Sequence, residues 1–156
     1  MKKILILLLL ISFNVSGAGT ESSNNDSTTT SDQINSLYEL AEKHIYNKKY
    51  DKSLKLLKKL TKREDLGTRR ADIYNLLGFS YRKLENPNLD KSFAAYMMAI
   101  EIDPSHLGAH EYLGELYLMR DQKDKAVIIL NKLDQLAGSN TEEYKELKIA
   151  IDEYKS

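Results

Sequence analysis

Two stretches of this 156-residue chain overlay at an offset of 36 residues, and that self-similarity restricts the fold more than any other feature. ADIYNLLGFSYRK (71–83) and LGAHEYLGELYLM (107–119) both contain an aromatic or His, two residues, Leu-Gly, two residues and Tyr. The matching positions are Tyr74, Leu77, Gly78 and Tyr81, then His110, Leu113, Gly114 and Tyr117. Leu37, Leu40, Ala41 and His44 fill the same slots upstream, and Tyr144, Leu147, Lys148 and Ile151 fill them downstream. Recurrence at a period of roughly 20 to 50 residues marks units that bury their apolar faces by stacking on their neighbours.

Each of the first three segments continues into a second amphipathic one. Its slots are Ser53, Leu57 and Leu60, then Ser92, Tyr96 and Ala99, then Ala126, Leu130 and Leu133. Spacings of three and four put each set on one face of a helix. A Gly or Ala in the first helix opposite a small residue in the second lets the two backbones approach closely. The spacing predicts helices over about 34–46, 50–64, 70–84, 89–102, 106–120, 123–136 and 141–154. The last is a lone first helix, expected to cover the apolar face of the third unit. Glu142, Glu143, Lys145, Glu146, Asp152 and Glu153 are expected on its solvated outer side. Only Pro87 and Pro104 interrupt a chain otherwise rich in helix formers from Ile34 onward.

These slots resemble the tetratricopeptide repeat family, whose mark is an aromatic, two residues, Leu-Gly, two residues and Tyr, then Ala, three residues and an aromatic, and later Pro. Pro104 closes the second unit in the expected place. AHEYLGELYL (109–118) also resembles a group of small exported bacterial repeat proteins without an assigned role. The resemblance implies an all-α fold, a right-handed α-solenoid of about three helix pairs with a C-terminal capping helix. The units would cover about 34–69, 70–104 and 105–140, with the cap at 141–154, in a domain spanning 34–156. The sequence departs from the pattern in three places: His44 stands where Tyr is usual, two extra residues lie in the turn 84–88, and Gly138-Ser139-Asn140 replaces Pro after the third unit.

Ahead of the repeats, Lys2 and Lys3 precede an apolar run from Ile4 to Ile11, and Ser16-Gly17-Ala18 follows. That order reads as a signal peptide over 1–18. The run is about half the roughly 20 residues a membrane span needs. Residues 19–33, GTESSNNDSTTTSDQ, carry no large apolar side chain and are expected to form a disordered linker. These 156 residues include no Cys, which removes disulfides, thiolate metal sites and a lipidated cysteine.

The resemblance implies that the first helices line an inner face and that their outward slots meet a peptide or partner helix. Those slots are Tyr38 and Glu42, then Asn75, Phe79 and Arg82, then Glu111 and Glu115, with Tyr112 near the edge. One subtype of the family grips a C-terminal carboxylate with Lys and Asn. The matching slots here hold Tyr38, Glu42 and Glu111, which argues against carboxylate capture. An acidic, aromatic groove suits a basic or apolar segment, with Phe79 as an exposed anchor beside Glu111 and Glu115.

The net charge of zero conceals an asymmetry. Residues 34–70 hold eleven Lys or Arg against five acids, a net of +6, and residues 100–156 hold seven against twelve, a net of −5. Self-association through these ends is the alternative to a separate partner. The basic segment 48–63 could also make weak contact with an anionic membrane surface. His106 and His110 lie one helical turn apart, but His110 fills a core slot and no third ligand is in register, so no metal is expected. Gly-x-Ser-x-Gly and phosphate-binding Gly-rich loops are missing from the sequence. The expectation is an exported, periplasmic or secreted protein-binding module that is not an enzyme, uses no cofactor and does not bind nucleic acid. Isolated from its native cell envelope, the chain should begin near Gly19 by mass spectrometry. Recovery with Met1 retained would count against cleavage and point to an uncleaved anchor.

Overall fold

The computed structural model describes residues 30–155. Within them the chain forms α1 (Thr30–Tyr46), α2 (Tyr50–Leu60), α3 (Arg69–Arg82), α4 (Leu89–Ile102), α5 (Leu107–Met119), α6 (Lys123–Ala137) and α7 (Glu142–Glu153). The helices pack as hairpins, α1 on α2, α3 on α4 and α5 on α6. α3 also packs on α2, α5 on α4, and α7 on both α5 and α6. Among the first helices, α3 meets α1 on one side and α5 on the other. This is an all-α solenoid of three helix pairs and a terminal helix. The expected signal segment and most of the expected linker lie outside the described residues.

Two helix boundaries differ from the spacing-based expectation by four residues, and the others by two or fewer. α1 begins at Thr30, four residues before Ile34, with Asp32 in its first turn. An acid there interacts favourably with the helix dipole, and buried Ile34 anchors the turn to the core. α2 ends at Leu60, four residues before Glu64. There the Thr61 hydroxyl donates to the Lys58 carbonyl and the Arg63 N–H to the Leu60 carbonyl. Arg63 then makes two bonds to the Asp65 carboxylate, at 2.9 and 2.7 Å, and buried Leu66 turns the chain back to the core.

The turns inside the hairpins place the three units in one register. The Lys49 N–H donates to the His44 carbonyl at 2.7 Å, and Gln122 donates to Tyr117 at 2.9 Å. One residue earlier, Lys48 (φ 57°) and Asp121 (φ 56°) adopt the left-handed conformation, donating to Ile45 and Leu118 respectively. This pattern of bonds closes a helix C-terminus around a left-handed residue. In the second unit the Asn88 N–H donates to the Tyr81 carbonyl, so the two extra residues enlarge the loop without moving its end points. His44, Tyr81 and Tyr117 are equivalent slots, which places the first unit in register despite its His.

The second-helix slots are the heart of the core. Ser53, Leu57, Leu60, Ser92, Tyr96, Ala99, Ala126 and Leu133 are all fully buried, and Leu130 is half-buried. Close approach within a hairpin occurs at Gly78. A Cβ there would lie 2.6 Å from two atoms of the Tyr96 ring and 3.1 Å from the Ser92 carbonyl oxygen. The Ser92 hydroxyl uses the proximity to donate to the Gly78 carbonyl at 2.8 Å. Gly114 is the counterpart in the third unit, where a Cβ would meet the end of the Leu147 side chain on α7 at 2.5 Å. Leu40, by contrast, is 41% exposed although it occupies a slot that is buried in later units. α1 is the first described helix, with described neighbours on one side only.

Gly78→Ala should lower stability. Overpacking a fully buried Tyr costs about 1–3 kcal/mol, against about 1 kcal/mol gained from helix propensity. Gly114→Ala should cost less, because a leucine tip on a terminal helix can move aside. Urea denaturation of both variants checks the order.

Candidate binding groove

α1, α3, α5 and α7 border a groove of about 1060 Å³ together with the start of α2. Its centre is a row of aromatic rings drawn from different units. Tyr50 meets Phe79 edge-on at 6.3 Å between centroids, Phe79 meets Tyr112 at 5.0 Å, and Tyr112 meets Tyr96 at 6.0 Å. Offset and edge-on arrangements are the favourable ones for aromatic pairs.

Arg82 lies against this row. Its guanidinium carbon is 5.5 Å from the Phe79 centroid and 5.2 Å from that of Tyr112. Its Nη1 donates to the carboxylate of Glu115 on α5, and only 3% of the Arg82 side chain is exposed. Burial alone would lower the Arg82 pKa, but Tyr96 and then Glu115 raise it above its usual value, so the guanidinium stays charged. Burial also pushes the Tyr96 hydroxyl up to about 12 against the pull of Arg82. That hydroxyl is near the guanidinium electrostatically but has no partner in hydrogen-bond geometry among the described residues. Tyr112 is likewise raised, first by burial and then by Glu111.

Asn75, Phe79, Arg82, Glu111 and Glu115, all expected at the inner face, border this one groove. Phe79 is not the exposed anchor that spacing suggested. It is 5% exposed because Tyr50 from the unit before and Tyr112 from the unit after close over it. Asn75 and Arg82 are buried as well, so they form floor instead of protruding. Tyr38 and Glu42 do not border the groove. Tyr38 is buried with the Arg69 guanidinium 4.7 Å above its ring, and its hydroxyl is raised by burial and by Glu42. Glu42 is raised chiefly by burial, with Tyr38 and Arg69 pulling the other way.

Tyr112, Tyr50, Glu142, Glu143 and Glu146 contribute more to the groove than their sequence slots suggest. Tyr112 is central and not peripheral. Tyr50 comes from a second helix. Glu142, Glu143 and Glu146 face the groove, where a solvated outer side had been expected. A signal existed for two of them: carrying Gly108 and Tyr112 forward by the 34-residue offset of the last unit lands on Glu142 and Glu146. The histidines are occupied structurally. His106 Nδ1 accepts from the Ala109 N–H at the start of α5 while its Nε2 meets Asp72 at 3.1 Å, and His110 Nε2 meets the Pro104 carbonyl at 3.0 Å. Among the described residues, no group of three His, Asp or Glu side chains is placed to hold a metal ion, and no helix is long and apolar enough to cross a membrane.

No family model matches the chain. It is 34% identical to tetratricopeptide repeat protein 37 of Xenopus laevis over 92 residues, which are 59% of this chain and 6% of that protein. It is 38% identical to uncharacterized protein ycf37 of Porphyra purpurea over 72 residues, 45% of this chain and 39% of that one. The matches span well under two thirds of either relative. With the helix-pair architecture, they support a tetratricopeptide-like family. The tetratricopeptide-like character suggests a protein–protein interaction module.

The Arg82–Glu115 pair joins α3 to α5 across two helix-pair units. Glu115→Gln leaves a buried guanidinium without its counter-charge and should cost about 3–5 kcal/mol. Arg82→Met with Glu115→Gln should recover most of that loss, because the buried charge is gone. Urea unfolding of the single and double variants checks it, and equal losses would show that the ion pair is not the cause.

Proposed function

We propose that this chain is an adaptor or scaffold that holds a peptide or partner helix in its concave groove, acting outside the cytoplasm, in the periplasm or as a secreted protein. The observation that carries the reading is the groove floor. Rings from three units and a buried ion pair are locked against one another before any partner arrives. A prearranged surface loses little conformational entropy on binding, which favours affinity. The rim differs in kind from the floor: Tyr46 is 67% exposed, and Glu111 and Glu143 are half-buried. That combination suits a segment laid along the groove with side chains pointing down into it. Export is supported by the pattern of residues 1–18 alone.

A second reading, self-association through opposite charges, has one observation in its favour. Lys52, Lys55, Lys58, Lys59 and Lys62 are all exposed around α2, opposite its buried leucines. A photo-crosslinking residue placed at Glu111 in the groove, and separately at Asn131 on the exposed side of α6, tests both readings in the native cell. Discrete adducts from position 111 alone support the groove. Adducts whose mass is twice that of the chain support self-association. Equal adducts from both positions would remove the groove proposal.

A further inference from the structure

The groove is chemically one-sided. Five carboxylates border it, Glu111 and Glu115 on α5 and Glu142, Glu143 and Glu146 on α7, against three cations, Lys48, Arg82 and Lys83. One of those cations, Arg82, is already matched by Glu115 at the floor. The excess negative charge therefore lies along the wall made by α5 and α7. The facing wall, from the end of α1 and the start of α2, presents Ile45, Tyr46 and Tyr50 together with Lys48. Acids in the first turn of a helix are favourable for the helix itself, so Glu142 and Glu143 alone indicate no ligand.

Asn75 supplies an independent indication. It borders the groove from α3, is more than nine-tenths buried, and its Oδ1 meets no donor among the described residues. A buried acceptor left unmet costs about 1–3 kcal/mol, so the position favours an incoming N–H. Its cover is thin at one point: a Cβ at Gly108, also on the groove, would come within 3.3 Å of the Asn75 amide nitrogen. The glycine leaves that amide uncrowded where any other residue would press on it. The amide oxygen thus calls for an incoming hydrogen-bond donor, and the acidic wall for positive charge.

We propose that the occupant of the groove is a partner segment bearing Lys or Arg beside an apolar side chain. The cation lies along the α5–α7 wall by Glu111, Glu143 and Glu146, an N–H of the segment reaches Asn75 Oδ1, and the apolar side chain rests on Tyr46 and Tyr50. The inference rests on the groove being the binding surface. Charge matching of this kind selects among partners and speeds encounter, and it weakens as salt screens it.

Fluorescence anisotropy of the full chain tests it with three labelled peptides of one length, alternating Leu with Lys, with Gln or with Glu. The Leu–Lys peptide should bind about tenfold or more tightly than Leu–Gln, with Leu–Glu weakest. Glu143→Gln with Glu146→Gln should remove that preference, and Asp124→Asn with Asp134→Asn on α6, which borders no part of the groove, should leave it intact. Circular dichroism melts confirm that each variant folds. Equal binding of Leu–Lys and Leu–Gln, both lost on Tyr46→Glu, would overturn the cationic partner while keeping the groove. A Leu–Lys preference reduced as much by the α6 pair as by the α7 pair would also overturn it, as mere attraction to an acidic surface. Binding unaffected by every groove substitution would overturn the groove itself.

Discussion

Two helices cannot approach as nearly as α3 and α4 do unless one lacks a side chain where they cross. Gly78 provides that gap, and the Tyr96 ring fills it. Because Tyr96 reaches through, its ring packs at a tilt against Tyr112 of the next unit, and Tyr112 in turn packs at a tilt against Phe79. Arg82 then rests on two of these rings with Glu115 as its counter-ion. The groove floor is thus the far end of a packing relation that begins with one missing Cβ. Helix pairing and site construction are here the same event.

The buried guanidinium is an expensive way to hold α3 against α5. An apolar pair of similar volume would often be at least as stable. What the ion pair adds is definition. A guanidinium bonded to the Glu115 carboxylate and resting against two adjoining aromatic rings tolerates little sliding of one unit over its neighbour. Two of its donors, Nε and Nη2, meet no acceptor among the described residues, and the proximity of the rings offsets part of that loss. The relative placement of the second and third units follows, and with it the width of the groove.

Much of the architecture was legible because the governing contacts are local and periodic. Ser92, Tyr96 and Ala99 are buried for the reason their spacing gives, and so are Ser53, Leu57 and Leu60. The site was less legible because its burial is set between units. Spacing puts Phe79 on the inner face correctly, yet whether that face is open there depends on Tyr50 and Tyr112, which belong to other repeats. Tyr38 fails in the mirror sense: its slot points inward, but Arg69 lies over its ring and it borders no groove. The shortened α2 was hidden by its lysines, which continue a helical pattern past the point where Thr61 and Leu66 redirect the chain.

α7 does two things at once. Leu147 and Ile151 close the core of the third unit, and Glu142, Glu143 and Glu146 form a groove wall. The same helix thus sets both how well the third unit is packed and where the acidic wall stands. A change that displaced α7 from α5 and α6 would remove the wall along with the cover of that core. By mass action, an occupant bridging α3 and α7 would in turn favour the packed arrangement. Core packing and groove chemistry are, at this helix, two readings of one contact.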